Sequence, residues 1–201
     1  APIVAAFIDG YGLATVAGTQ RFQISAINNF SSWSLIDFGS AEGSPDNLVT
    51  ILAASGELWC FGDRSLQIFR DTGALDFPFA PIAGAFSQIG CAAPASPRRM
   101  GNTVFWIGLD DDGHAVVYRA VGWQPARISN HAVEAALQRY SRISDCWAYT
   151  YQENGHGFYV LNFPTPNATW VFDMSTGQWH QRGYWNFTNG QYEAHRGRVH
   201  A

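Results

Sequence analysis

The stretch Gly56-Glu-Leu-Trp-Cys-Phe-Gly62, followed by Ser65-Leu-Gln-Ile-Phe69, sets the pattern for the whole chain. Two short apolar runs separated by a turn at Asp63-Arg64 predict a pair of antiparallel strands. The same signature occurs three more times, as Gly12–Gly18 with Arg21–Ser25, Asn102–Gly108 with Ala115–Arg119, and Gly157–Leu161 with Thr169–Asp173. The chain is therefore expected to be a series of similar antiparallel units.

The spacing of these units predicts the fold. Alignment of Ile24, Ile68, Tyr118 and Phe172 gives spacings of 44, 50 and 54 residues. A period of roughly 40–50 residues built from antiparallel strands is typical of a β-propeller, in which each repeat forms one blade. We therefore predict an all-β propeller with blades of roughly 45–54 residues, of which about four are visible and which belong to a larger propeller.

One short helix is predicted near residues 130–141, between the third and fourth repeats. Ser129 or Asn130 can cap its first turn. Its apolar face is formed by residues at helical spacing, namely Val133, Ala136, Leu137 and Tyr140. The helix interrupts an otherwise all-β chain.

Residues 1–201 are expected to form a single domain, because no stretch has the composition of a disordered linker. The chain starts with Ala1-Pro2 and stops inside a strand-like run, Tyr192–His200. We therefore expect a fragment of a longer protein, with a fifth repeat beginning near Tyr192.

The composition limits the classes of function. Charged residues make up 14% of the chain, against about 25% in ordinary domains. Such a surface fits either extensive subunit contacts or a mostly buried all-β domain. The net charge is −4, and all twelve basic residues are arginine. Because the chain lacks a dense basic stripe, it is not expected to bind nucleic acid as its function.

The three cysteines, Cys60, Cys91 and Cys146, are scattered and show no Cys-x-x-Cys spacing. They are expected to be buried, reduced thiols, which favours assembly in a reducing cytoplasm. No apolar run reaches the ~18 residues of a membrane span, so no membrane association is predicted.

No motif in the sequence predicts a catalytic or metal-binding site. The run Asp110–His114 could offer carboxylates to Ca²⁺, but it lacks the spaced partners of a calcium loop and predicts a solvated hairpin tip. His195 and His200 do not form a His-Glu-x-x-His pair. No Gly-x-Ser-x-Gly elbow is present, and Asp173 and Gly177 are too far apart for a sialidase box. We therefore predict no catalytic, cofactor-binding or metal-binding residues.

Two groups of residues allow different interpretations. Three glycosylation sequons, which begin at Asn29, Asn167 and Asn186, are interpreted as turn residues because no secretory signal is present. Trp185 and Phe187 could mark a contact patch, although core packing explains them equally well.

The fourth repeat adds a structural likeness. Its segment Phe172-Asp-Met-Ser-Thr-Gly-Gln-Trp179 resembles the end of a kelch-type blade, in which an aromatic-Asp pair ends a strand, Thr-Gly turns, and Trp opens the outer strand. The Gly-Gly doublet of kelch repeats is absent, so the likeness concerns architecture.

Several longer runs resemble the packaged-DNA stabilisation proteins of short-tailed bacteriophages. The matching runs, in order, are Gly62–Gly73, Phe79–Ala93, Phe105–Asp110, Val117–Ala120, Arg127–Ala132, Gly157–Leu161, Thr169–Asp173 and Thr176–His180. They cover most of the chain, and their order and spacing carry the resemblance.

The resemblance implies a structural hub, or nozzle, protein of the phage tail. Such a protein forms a ring, expected to contain six copies, below the portal and its adaptor; it helps close the channel, retains packaged DNA and holds the tail needle. The family supplies no catalytic residues. The expected location is the virion, after assembly in the cytoplasm of the bacterial host.

Two alternatives stay open at the level of sequence. One is a propeller that binds a glycan or a peptide through loops on one face. The other is a propeller glycosidase, whose paired carboxylates would meet only in space.

Overall fold

The computed structural model describes residues 4–195 and residue 197. Within them, four antiparallel sheets of four strands follow one another along the chain, and a two-stranded sheet comes last. The first sheet contains β1 (Ala5–Ile8), β2 (Tyr11–Thr15), β3 (Arg21–Ala26) and β4 (Asn29–Ser40), and the second contains β5 (Leu48–Ala54), β6 (Glu57–Gly62), β7 (Leu66–Asp71) and β8 (Phe79–Ser87).

The remaining sheets continue this order. The third contains β9 (Arg98–Met100), β10 (Thr103–Leu109), β11 (Ala115–Val121) and β12 (Gln124–Arg127), the fourth contains β13 (Trp147–Glu153), β14 (His156–Phe163), β15 (Ala168–Asp173) and β16 (Gln178–Gln181), and the last contains β17 (Gly183–Asn186) and β18 (Gln191–Ala194). In each four-stranded sheet the strands neighbour one another in chain order.

The four sequence repeats form the two central strands of the four sheets, which confirms the predicted strand pairs. In the second sheet Trp59 lies opposite Ile68, and in the fourth Tyr159 lies opposite Phe172. Central strands are apolar on both faces because neighbouring elements cover both. β10 illustrates this, since residues 104–108 are all buried.

Turn chemistry fixes the register of the hairpins. The β13–β14 turn at Asn154-Gly155 has positive φ at both residues, 50° and 80°. Two such residues form the type I′ turn, whose twist matches that of the flanking strands. Ser55-Gly56 closes β5–β6 in the same way, with φ of 55° and 76°.

The predicted helix is present as α1 (His131–Arg139). Asn130 caps it, since its side chain accepts a hydrogen bond from the backbone N–H of Val133 at 3.0 Å. Val133 and Leu137 are fully buried, as the apolar spacing predicts.

The described chain divides into two compact units. One comprises residues 1–91 with 121–125, and the other comprises 92–120 with 126–201. The first unit has a core that includes Leu13, Phe22, Leu58, Cys60 and Phe69. The core of the second includes Phe105, Leu137, Cys146, Tyr159 and Leu161. That the whole chain forms one domain stays a prediction.

All three cysteines are buried thiols, as predicted. After the fourth sheet β17 (Gly183–Asn186) pairs with β18 (Gln191–Ala194), and β18, the second strand of this sheet, contains Tyr192, near which a fifth repeat is expected to begin. Within the described residues, no helix is long and apolar enough to cross a membrane.

Candidate interaction surfaces

Several exposed apolar side chains of the first unit lie on strand β4 or next to it. We call this group the β4 patch, and it consists of large side chains that are each more than a third exposed: Phe7, Ile27, Phe30, Trp33, Leu35 and Ile36. The rings of Phe7 and Phe30 meet edge to face with centroids 5.4 Å apart. Leu35 and Ile36 are 86% and 83% exposed.

The β4 patch exists because β4 departs from its neighbour. β4 pairs with β3 at Gln23–Phe38 and again at Ser25–Trp33, with register shifts after Gln23 and Ser25. These irregularities leave residues 34–37 without partners on β3. A bulge of this kind bends an edge strand and re-aims its side chains. Leu35 and Ile36 therefore project from the sheet instead of packing against it.

The second unit carries an aromatic surface on the β17–β18 hairpin. Trp185 and Tyr192 are cross-strand partners, so their side chains lie on the same face. Trp185, Phe187 and Tyr192 are 52%, 91% and 59% exposed, and together they form what we call the hairpin patch. Core packing of Trp185 and Phe187 is therefore wrong in the described structure, and that the two side chains mark a contact patch stays a prediction.

The opposite face of the hairpin is polar and makes its own hydrogen bonds. The hydroxyl of Tyr184 donates to Glu193 Oε2 at 2.6 Å, and the amides of Asn186 and Asn189 each donate to Glu193 Oε1 at 2.8 Å. This network holds the two strands in register. The polar face therefore stabilises the hairpin, and the aromatic side chains on the other face remain exposed.

A cavity of about 720 Å³ opens beside the hairpin. Its described lining includes Tyr184, Gln191, Tyr192, Glu193 and His195. The cavity is therefore lined by the polar face of the hairpin, through Tyr184 and Glu193, and by Tyr192 of the hairpin patch, whereas Trp185 and Phe187 are not among its described lining residues.

The Asp110–His114 segment forms the tip of the β10–β11 hairpin, as predicted. Oδ1 of Asp110 accepts hydrogen bonds from the backbone N–H groups of Asp112 and His114, at 3.1 and 2.7 Å. Ligand atoms of Asp110, Asp112 and His114 lie within 4.8 Å of one another. Closing the turn accounts for Asp110, and exposed acidic tips of this kind need no ion.

Of the two histidines compared with a zinc motif, only His195 lies among the described residues. The backbone carbonyl of His195 accepts a hydrogen bond from Thr169 Oγ1 at 2.6 Å, which ties the end of β18 to β15. His200, with Arg196 and Arg198, lies outside the described residues.

Of the three sequon asparagines, only Asn167 lies in a turn, as predicted; Asn29 is the first residue of β4 and Asn186 is the last residue of β17, so each borders a turn. Oδ1 of Asn29 accepts a hydrogen bond from the hydroxyl of Ser31 at 2.8 Å, and Oδ1 of Asn186 accepts one from the backbone N–H of Thr188 at 2.9 Å. Asn167 has φ of 54° in the β14–β15 turn. Asparagine tolerates this left-handed conformation better than most residues.

The family-like run that begins at Gly62 has a structural explanation. Oδ2 of Asp46 accepts hydrogen bonds from the backbone N–H groups of Arg64 and Ser65, at 2.8 and 3.0 Å, and Oδ1 accepts one from the Ser65 hydroxyl at 2.8 Å. A Cβ at Gly62 would collide with this carboxylate, and one at Gly90 would collide with the carbonyl oxygen of Gly62. The two glycines let three segments converge on one turn.

The run that begins at Arg127 anchors the helix. Nε of Arg127 donates to Glu134 Oε1 at 2.7 Å, and the hydroxyl of Ser129 donates to the same oxygen at 2.7 Å. These contacts, the hydrogen bond from Arg127 above all, lower the pKa of Glu134. The sequence places Glu134 in the first helical turn, but it gives no sign that this side chain is buried.

The kelch-like segment forms the predicted turn. Oδ1 of Asp173 accepts from the backbone N–H of Ser175 at 2.8 Å, and His156 Nδ1 lies 2.8 Å from Asp173 Oδ2. Burial raises the pKa of this carboxyl, but the hydrogen bonds from His156, Ser175 and Thr176 outweigh it and hold the pKa below its ordinary value. These contacts join the β13–β14 turn to the β15–β16 turn.

Sequence reasoning missed the β4 patch. The run Ser31-Ser-Trp-Ser-Leu-Ile36 breaks strict alternation, because Leu35 and Ile36 are adjacent apolar residues. Such a break is the one local signal that could have identified the bulge.

Comparison with known proteins gives one family match. The sequence profile of a phage stabilisation family, described as "Bacteriophage P22 Gp10, beta-propeller", matches residues 2–200. No curated protein matches the chain at a significant level.

Proposed function

The chain belongs to the family of bacteriophage packaged-DNA stabilisation proteins, and from this premise we propose that it is a structural, non-enzymatic component of a short phage tail. In this role it helps close the portal channel after packaging and links the tail adaptor to the tail needle. The observation that carries the proposal is the family match over residues 2–200. The proposed fold is a β-propeller whose blades are the four-stranded sheets.

The local chemistry supports a structural role. The family-like runs lead to packing and turn contacts, such as those of Asp46 with the Gly62 turn and of Glu134 with Arg127. Each uses polar groups to fix the backbone, which is what a rigid scaffold needs. The proposed partners are further copies of the chain in a ring, the tail adaptor or portal, and the needle.

The buried thiols support assembly in the cytoplasm of the bacterial host, followed by residence in the virion. Cys60 lies at 1% exposure, and burial raises its pKa far above the ordinary value. A neutral, inaccessible thiol resists oxidation. It therefore tolerates passage from a reducing to an oxidising environment.

The test is DNA retention. Heads filled in the absence of this protein would be treated with nuclease, and the protected DNA would be measured with and without added purified protein. We expect DNA loss without the protein and protection when it is added together with the adaptor and needle. Full retention in its absence would contradict the proposal.

Light scattering tests the partner assignment separately. The protein would be measured alone and mixed with the adaptor and with the needle of the same phage. Complexes of defined mass are expected with itself and with one or both partners. No association with either partner would remove the linking role, even if DNA retention depended on the protein.

The cavity beside the hairpin favours a second candidate, a glycan-binding module. Tyr184 and Tyr192 offer aromatic faces, and Gln191 and Glu193 offer polar groups, a combination that binds sugars in many concave sites. Among the described lining residues Glu193 is the only carboxylate, so the pair that a glycosidase needs is not found there. A melting-temperature shift with an oligosaccharide panel would support the binding module.

A further inference from the structure

A small cavity lies at the end of the fourth sheet, beside the turn that joins β14 to β15. Its volume is about 20 Å³, and about 10–15 Å³ is enough to hold one water molecule. The cavity therefore has room for one water and for little else. The residues that line it are Trp147, Asn162, Phe163, Pro164, Ala168 and Thr169.

Strand pairing places two polar side chains beside this cavity. Asn162 on β14 lies opposite Trp147 of β13 on one side and opposite Thr169 of β15 on the other, so the three side chains share one face of the sheet. Asn162 and Thr169 are each only 2% exposed. Buried amides and hydroxyls destabilise a fold unless they find hydrogen-bond partners.

The protein supplies too few partners for the amide of Asn162. Its Nδ2 is buried and has no hydrogen-bond partner among residues 4–195 and 197. Thr169 Oγ1 lies 3.1 Å from Asn162 Oδ1 and 2.6 Å from the carbonyl oxygen of His195. Because a hydroxyl has one hydrogen to donate, the shorter contact with His195 takes it.

One atom of the amide stays without a protein partner whichever way the amide is turned. With its nitrogen towards Thr169, the amide donates to Oγ1 and Thr169 donates its own hydrogen to His195. The amide oxygen then takes the place of the nitrogen and lacks a partner instead. A ligand that both donates and accepts satisfies either arrangement, and water does both within the available volume.

We infer that this cavity binds one ordered water molecule, held by the amide of Asn162 and the hydroxyl of Thr169. Buried waters make roughly two to four hydrogen bonds to groups that the protein leaves unpaired. Thr169 Oγ1 accepts a hydrogen bond from the water while it donates to the carbonyl oxygen of His195. The water thus extends a chain of hydrogen bonds from β14 through β15 to the end of β18, and it helps fasten the last strand pair to the fourth sheet.

Nuclear Overhauser effects between water and protein protons test this inference on the full chain. A water that stays bound for longer than the protein takes to tumble gives an effect of the same sign as contacts within the protein, whereas rapidly exchanging surface water does not. We expect such effects at the side-chain amide of Asn162 and at the γ-methyl group of Thr169. The internal control is the exposed side-chain amide of Asn189, which donates to Glu193 and should give none.

A variant identifies the group that holds the water. Asn162→Leu replaces the amide by apolar atoms, so the water contact at the γ-methyl group of Thr169 should be lost. The matched control is Asn102→Leu, at an exposed position in the β9–β10 turn, which should leave that contact unchanged. Circular dichroism would establish that both variants are folded.

Two results would overturn the inference. If the wild type shows no bound-water contact at Asn162 and Thr169, the cavity is dry. If the contact at Thr169 persists in folded Asn162→Leu, another group holds the water. Should that variant fail to fold, a crystal structure of the wild type decides: a water peak roughly 2.7–3.2 Å from the amide of Asn162 is expected, and a cavity without one contradicts the inference.

Discussion

At the residue scale, close approaches explain why glycine and aspartate stand at particular positions. Gly62 has no room for a side chain because the carboxylate of Asp46 lies against its Cα. The Asp46 carboxylate in turn accepts three hydrogen bonds from Arg64 and Ser65. Asp46 and Gly62 therefore act together: the Asp46 carboxylate, from the β4–β5 connection, accepts the hydrogen bonds that close the β6–β7 turn, and Gly62 leaves room for it.

The contact between Asp46 and Gly62 predicts that substitutions of the two residues have coupled effects on the free energy of unfolding. Gly62→Ala should lower the free energy of unfolding by about 1–3 kcal/mol through overpacking. Asp46→Ala should lower it by roughly 2 kcal/mol through the lost hydrogen bonds. The double variant should lose less than the sum of the two, because removal of the carboxylate makes room for the new methyl group.

Urea denaturation of the two single variants and the double variant would measure the coupling. Glu42→Gln, at an exposed position in the same β4–β5 connection, is a control expected to change stability by less than about 0.5 kcal/mol. Strict additivity of the two main substitutions would show that Asp46 and Gly62 act independently.

At the element scale, helix α1 is held by polar contacts as well as by its apolar face. Asn130 caps its start, and Glu134 reaches back to Arg127 and Ser129. The cap predicts that Asn130→Ala lowers the free energy of unfolding by about 1 kcal/mol. Asn130→Asp, which keeps the acceptor, should stay close to the wild type, and equal losses for both variants in thermal melts would argue against capping.

The Glu134 contacts predict a pH dependence. Because its folded-state pKa is lowered, mainly by the hydrogen bond from Arg127, its contribution to stability is present above the ordinary value near 4.5. That contribution is lost as the pH falls through the lower, folded-state value. Glu134→Gln should therefore be less stable than the wild type at pH 6, and the difference should shrink towards pH 3.

Chemical denaturation at several pH values would measure this difference. Glu153→Gln, at an exposed position on β13, is the matched control and should show no comparable trend. A Glu134→Gln deficit that stays constant from pH 6 to pH 3 would show that packing, and not charge, explains it.

At the scale of the whole molecule, charge governs how the protein meets DNA. The chain carries a net charge of −4 and no lysine. Adhesion to a duplex depends on cationic contacts that release counterions. A tail wall built from such a chain would let DNA pass without holding it, so that retention would come from closing the channel.

This argument predicts weak, non-specific contact with DNA. Fluorescence anisotropy with a labelled duplex at about 50 mM salt should give a dissociation constant no lower than roughly 10⁻⁶ M. A variant with three exposed acidic residues changed, Asp111→Arg, Asp112→Arg and Glu153→Arg, should bind more tightly and with a steeper salt dependence. Sub-micromolar, salt-sensitive binding of DNA by the assembled wild type would contradict the prediction that a wall built from this chain does not hold DNA.

The sequence by itself determined the strand pairs, the hairpin turns at Asn154-Gly155 and Asp110–Gly113, the helix near residues 130–141 and the burial of the cysteines. These features follow from alternation, turn chemistry and helical spacing, which act between residues close in the chain. Only the tertiary structure decided that Asp46 closes the Gly62 turn, that Glu134 is buried, and that Leu35, Ile36, Trp185 and Phe187 are exposed. The reason is that burial depends on which distant segments cover a side chain, and local patterns do not encode that coverage.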